Sequence, residues 1–142
     1  MAKTYELTPL RRLANRLMEA ALRAGWKPNT TYLLTAKVRK SGKLHTTPIT
    51  LVEEYGQRWL VAPYREVNWV RNARAAGEVT LTWGRRSETL PIVELGPEAS
   101  APALKKYVAR VPITRPYFTA TPDAPIEAFI AEAARHPVFR VG

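Results

Sequence analysis

Leu10, Leu13, Leu17 and Ala21 recur at helical spacing, with Arg11, Arg12, Asn15, Arg16, Glu19 and Arg23 on the opposite face. The stretch 8–25, TPLRRLANRLMEAALRAG, therefore reads as an amphipathic helix. Thr8 suits its N-cap, Pro9 its first turn and Gly25 its end. The pattern then changes. TYLLTAKV (31–38) alternates weakly, HTTPITLVEE (45–54) is rich in β-branched residues, and QRWLVAP (57–63) follows a short turn at Tyr55-Gly56. Strands joined by turns rather than helices make an antiparallel meander. Pro48 cannot donate to a ladder, which puts its part of the second strand at an edge or a bulge.

EVNWVRNARAA (66–76) reads as a short helix closed by Gly77. VTLTW (79–83) and ETLPIVEL (88–95) form a hairpin around Gly84-Arg85-Arg86. GPEASAPALKKYVARV is a longer helix with Pro97 near its start, and residues 112–125, with four prolines, read as an ordered, extended loop. APIEAFIAEAAR is a last helix and HPVFRVG a final strand. Five or six short strands with helices at the ends predict an α+β, mainly antiparallel domain, closed or partly closed into a barrel. One domain spans 1–142: the helix in 1–25, a barrel core over 30–96, then helices, a Pro-rich loop and the last strand over 97–142.

Composition narrows the chemistry. A chain of 142 residues with 46% apolar content can bury a core of its own. It has no cysteine, which excludes disulfides and thiolate metal sites. The two histidines, His45 and His136, have no carboxylate pair at ligand spacing, so no metal is expected. There is no signal-peptide pattern and no apolar run of about 18 residues. A cytoplasmic protein is expected. Residues 8–25 either cover one end of the barrel or make a peripheral membrane contact.

Lysine plus arginine number 22 against 12 acidic residues, a net charge of +10. That balance points to an anionic partner: nucleic acid, a membrane surface, or a phosphorylated or carboxylated ligand. The strands interleave few aromatic residues with basic ones, which weighs against nucleic acid. Neither histidine has triad spacing, and neither GxxxxGK nor GxGxxG occurs. Any enzymatic chemistry must then come from a bound cofactor.

The stretch 38–49, VRKSGKLHTTPI, gathers Arg39, Lys40, Lys43 and His45 around Ser41-Gly42. It reads either as a solvated hairpin tip or as a nest in which backbone N–H groups and basic side chains hold a phosphate. Trp69 and Asn72 share one face of their helix, and Asn72 needs a hydrogen-bond partner if it is buried. Tyr107 and Tyr117 lie among basic residues and prolines, placed to line a pocket or to pack in a core.

Taken in order, RKSG, TTPITLVEE, RWLVAPY, NWVRNARAAGEVTLTW, RRSETLPIVEL and HPVFRV resemble the deazaflavin-dependent nitroreductase family of flavin/deazaflavin oxidoreductases. The resemblance is dense over 30–96 and loose over 97–141. It implies a split β-barrel of the FMN-binding/flavin-reductase type with peripheral helices, often a homodimer. It implies coenzyme F-420, a deazaflavin with an anionic phosphate and glutamate tail, with FMN as the alternative. It implies hydride transfer to a small electron acceptor of the quinone, enone or nitro type, and no nucleic acid. A non-catalytic cofactor- or anion-binding protein is the other reading. By the same resemblance, Arg39, Lys40 and Ser41 meet the phosphate and tail. His45, Thr46, Thr47, Pro48, Ile49 and Thr50 run beside the cofactor. Ala62, Pro63, Tyr64 and Arg65 approach its ring, and Asn68, Trp69, Val70, Arg71 and Asn72 cover it. Tyr117, Tyr64 or solvent would deliver a proton. Val38 stands where members commonly have Gly, and His45 where Arg is common.

Overall fold

The computed structural model describes residues 8–24, 30–65 and 67–142. Among these residues four α-helices and six strands follow in chain order: α1 (Pro9–Arg23), β1 (Thr31–Lys37), β2 (Leu44–Glu54), β3 (Gln57–Val61), α2 (Asn68–Ala76), β4 (Glu78–Trp83), β5 (Arg86–Glu94), α3 (Pro97–Arg110), α4 (Ile126–Glu132) and β6 (Val138–Val141). The helix end expected at Gly25 and the helix start expected at Glu66 lie outside the described residues. Gly77 does close α2, in the left-handed conformation at φ 73°.

The strands form a closed antiparallel barrel in the order β1-β2-β3-β6-β5-β4. Two long strands change partners along their length. Residues 44–50 of β2 pair with β1, and residues 51–54 with β3. Residues 86–91 of β5 pair with β4, and residues 92–94 with β6. The barrel is thus two sheets that share β2 and β5. Pro48 faces Leu33 in unbroken register, in the half of β2 that has β1 as its only ladder partner. It sits on an edge, with no bulge.

Leu51-Val52 of β2, Leu60-Val61 of β3 and Val138-Phe139 of β6 are buried on both faces, which is why their apolar residues run consecutively. Leu51, Leu60 and Phe139 point into the barrel. Their chain neighbours Val52, Val61 and Val138 point outward, under Leu104 of α3 and Phe129 of α4. Two cores result from one period-2 pattern. Cross-strand threonine pairs tie the β1 side together: Thr35 with Thr46 at 2.8 Å and Thr31 with Thr50 at 2.9 Å.

One expectation is corrected. Residues 112–125 do not form a wholly extended loop, because Pro112–Tyr117 coils into a 3-10 helix. Proline fixes φ near a value that suits this helix as well as an extended chain, and Thr114 closes the turn by donating to the Val111 carbonyl at 2.7 Å. Helix α1 takes the covering place that the sequence allowed for residues 8–25. The helix lies against β1, β2 and β4, but Leu10, Leu13 and Leu17 are 75%, 54% and 63% exposed. Half-buried Arg11, Asn15, Met18, Glu19 and Ala21 are its inward residues. It covers the barrel with its mainly polar side, because what it covers is an open pocket rather than an apolar core.

Candidate functional site

The change of partners in β2 leaves one edge of residues 45–50 without a neighbouring strand. That edge forms a wall of a pocket of about 780 Å³, within the usual size for small-molecule sites. Pro63 and Tyr64, just after β3, form a second wall, and Asn68 and Trp69 at the start of α2 a third. The α1 residues Arg12, Asn15 and Arg16 line it from outside the barrel. The Trp69 ring is seated on Phe139 of the inner core, with centroids 6.4 Å apart.

Most of the residues singled out from the sequence converge here. His45, Thr46, Thr47, Pro48, Ile49, Thr50, Pro63, Tyr64, Asn68 and Trp69 all line the pocket. Ala62 and Val70 do not: both are fully buried side chains of the inner core. The strand and helix periods that bring their neighbours to the pocket turn these two inward. Arg65 and Arg71 line an adjoining cleft of about 360 Å³ together with Arg135, and this cleft shares Tyr64 and Val67 with the main pocket. Arg65 holds the left-handed conformation at φ 69°, uncommon for a residue with a side chain.

Asn72, 3% exposed, has its partner. Its Oδ1 accepts the Arg39 backbone N–H at 3.2 Å and the Arg39 guanidinium at 2.8 Å. It serves the basic turn by anchoring it to α2, one helical turn beyond Asn68. Of the two readings of that turn, a backbone nest does not fit Ser41, Gly42 and Lys43. The N–H groups of Ser41 and Gly42 donate to the Val38 carbonyl, and that of Lys43 donates to Ser41 Oγ. With these donors used inside the turn, the side chains of Arg39, Lys40 and Lys43 are what it offers to an anion.

The tyrosines meet at the pocket's edge. Tyr64 and Tyr117 stack edge to face with centroids 4.8 Å apart. Arg11 of α1 donates to the Tyr117 hydroxyl at 2.7 Å. Tyr107 also lines the pocket, and burial raises its pKa, so it remains a phenol across the physiological range.

A buried Glu132–His136 pair was not singled out from the sequence, where Glu132 belongs to the last helix and His136 to the segment of the final strand. Nε2 of His136 lies 3.3 Å from Glu132 Oε1, and both residues are 2% exposed. Burial holds the His136 pKa below the ordinary histidine value, with the Glu132 carboxylate and the Ala62 carbonyl pulling it partly back and Arg135 adding to the fall. The unfolded chain then binds a proton that the folded chain refuses. Stability should be flat above about pH 7.5 and should fall as pH drops through about 6.5. Denaturant unfolding at pH 7.5 and 5.5 checks this, and His136→Gln should flatten most of the slope. Among the described residues no cluster of three or more His, Asp or Glu side chains is placed to hold a metal.

Comparison with known proteins gives the following. The profile of the F420H(2)-dependent quinone reductase family matches residues 10–126. No curated protein matches the sequence. Among solved structures, one described as a domain-swapped dimer is similar at 25% identity and a TM-score of 0.60, over 95% of this chain and 100% of its own. An F420-H2 dependent reductase, FDR-A, is similar at 28% identity and a TM-score of 0.58, over 80% of this chain and 94% of its own. The protein Atu2129 of Agrobacterium tumefaciens str. C58, of unknown function, shares the fold at 20% identity and a TM-score of 0.56, over 95% of this chain and 56% of its own.

Proposed function

The chain belongs to the F420H(2)-dependent quinone reductase family, and on that premise we propose that it holds the reduced deazaflavin coenzyme F-420 in the main pocket and reduces a small electron-poor acceptor, a quinone before an enone or nitro compound. The observation that carries this reading is the pocket on the open edge of β2, walled by Tyr64 and Trp69, with a basic turn tied through Arg39 and Asn72 to the helix that carries Trp69. The residues present fit such a group. Trp69 and Pro48 offer apolar surface to a planar ring. The Thr47 hydroxyl and Asn68 amide offer polar contacts, while Thr46 and Thr50 are already paired with Thr35 and Thr31. Arg39 and Lys40 supply charge for a phosphate and an acidic tail. When bound, the deazaflavin supplies a hydride.

The chain's own work is to hold the ring, exclude water from one face and present a phenol, Tyr64 or Tyr117, where a proton is required. A homodimer is part of the proposal, supported by the similarity to a domain-swapped dimer. Equilibrium titration tests the reading: F-420 should bind in preference to FMN, and reduced F-420 should be consumed when a quinone is added. FMN binding without detectable F-420 binding would overturn it.

A second reading is favoured by α1. Its exposed leucines flank Arg12 and Arg16 at the pocket mouth, the arrangement of a helix lying on an anionic bilayer. No described helix is long and apolar enough to cross a membrane. The triple change Leu10→Gln, Leu13→Gln, Leu17→Gln should abolish cosedimentation with anionic vesicles. Exposed positions should keep the stability change within about 0.5 kcal/mol each. Undiminished vesicle binding would remove this role from α1.

A further inference from the structure

Two segments carry the tyrosines that meet at the pocket, and one buried pair touches both. The Glu132 carboxylate accepts from the backbone N–H groups of Thr119, at 2.6 Å, and Ala120, at 2.9 Å, just beyond Tyr117. His136 reaches the other segment: its Nδ1 lies 3.2 Å from the Ala62 carbonyl, two residues before Tyr64. Phe118 stacks on the imidazole with centroids 4.0 Å apart and planes 16° from parallel. Among the described residues, the other charge beside the pair is Arg135, 4.0 Å from Glu132 Oε1. A contact path therefore runs from the Tyr117 segment through Glu132 and His136 to the Tyr64 segment. It closes where the two rings meet at 79°.

Placing a carboxylate and an imidazole this deep is costly, and an apolar pair of similar volume would pack without that cost. What an apolar pair could not do is direct two backbone segments. Hydrogen bonds to Thr119, Ala120 and Ala62 set the height of both segments relative to α4. An edge-to-face ring contact is sensitive to that height.

We propose that Glu132 and His136 are positioning residues. They hold Tyr64 and Tyr117 against each other, so that the two phenols form one edge of the acceptor's site. The catalytic consequence rests on the proposed function; the ring geometry does not.

Three variants test this. In His136→Asn the amide nitrogen takes the place of Nδ1 beside the Ala62 carbonyl and the link to Glu132 is lost. In His136→Gln it takes the place of Nε2 and the link to Ala62 is lost. Glu132→Gln puts an N–H where a backbone donor needs an acceptor. The first readout uses the cofactor-free protein: NMR ring shifts and ring-to-ring NOEs of labelled tyrosines. Glu132→Gln and at least one histidine variant should weaken the Tyr64–Tyr117 NOE and move both ring signals. The signal of Tyr55, 96% exposed, should stay in place. The second readout is kinetic. The same variants should lower kcat with a quinone by about tenfold or more while leaving the F-420 dissociation constant nearly unchanged.

A merely structural pair would lower the melting temperature and leave the ring signals alone. Unmoved ring signals in both folded histidine variants would overturn the proposal. If Glu132→Gln does not fold, the two histidine variants, each retaining one link, decide it. A wild type that reduces no acceptor would count against the proposed function, and the ring signals would still decide this inference.

Discussion

Phe139→Ala should remove roughly 3–5 kcal/mol of folding stability, the range for an aromatic residue deleted from a core. Phe139 is 1% exposed, and it pairs with Leu60 of β3 on one side and Glu94 of β5 on the other. It lies on β6, a strand of only four residues that closes the barrel between them. The ring of Phe139 fills the space among the inner-core residues of its neighbours, and backbone ladders on both sides restrict how far the strand can move to close a void. The loss should therefore lie well above the cost of a surface change. Denaturant midpoints at constant m-value measure it. The same variant should loosen the pocket, because Trp69 rests on this ring. A loss below about 1 kcal/mol would mean that the interior collapses onto the vacancy, and that Phe139 does not hold the barrel shut.

The double change Arg39→Glu, Lys40→Glu should weaken F-420 binding about tenfold or more, the equivalent of losing a charge-assisted contact of roughly 1.5–3 kcal/mol. Part of this effect is structural and has to be separated. A glutamate at 39 would turn an acceptor toward Asn72 Oδ1, which now receives the guanidinium at 2.8 Å. Leaving that buried oxygen without its charged donor costs on the order of 1–3 kcal/mol of stability. Lys40 is exposed and carries no such tie. Lys40→Glu alone should leave stability within about 0.5 kcal/mol and still weaken binding, more at low salt than at high. Affinity unchanged in the double variant would return the turn to a solvated hairpin tip.

The order of elements and the antiparallel arrangement of the strands were legible in the sequence. Turns such as Tyr55-Gly56 separate short β-branched runs, and only an antiparallel sheet is joined that way. The sequence's resemblance to a known family also pointed to ten contact residues, from His45 to Trp69, that the barrel brings to one pocket. The sequence by itself determined that Asn72, if buried, required a partner.

The tertiary structure decided what local pattern does not encode. A helical period says that Leu10, Leu13 and Leu17 share a face, but not whether that face meets protein or solvent; here it meets solvent. A Ser-Gly turn offers N–H groups, but the turn's own acceptors, Val38 and Ser41, consume them. Ala62 and Val70 lie within matching motifs, yet the pleat and the helical twist send them into the core. Glu132 and His136 stand four apart in the sequence, but Thr119, Ala120 and Ala62 become their partners only when α4 docks between two distant loops. The reason is common to all four cases. Periodicity is a property of neighbours along the chain, whereas hydrogen-bond partners and solvent exposure are allotted by segments that meet only in the folded protein.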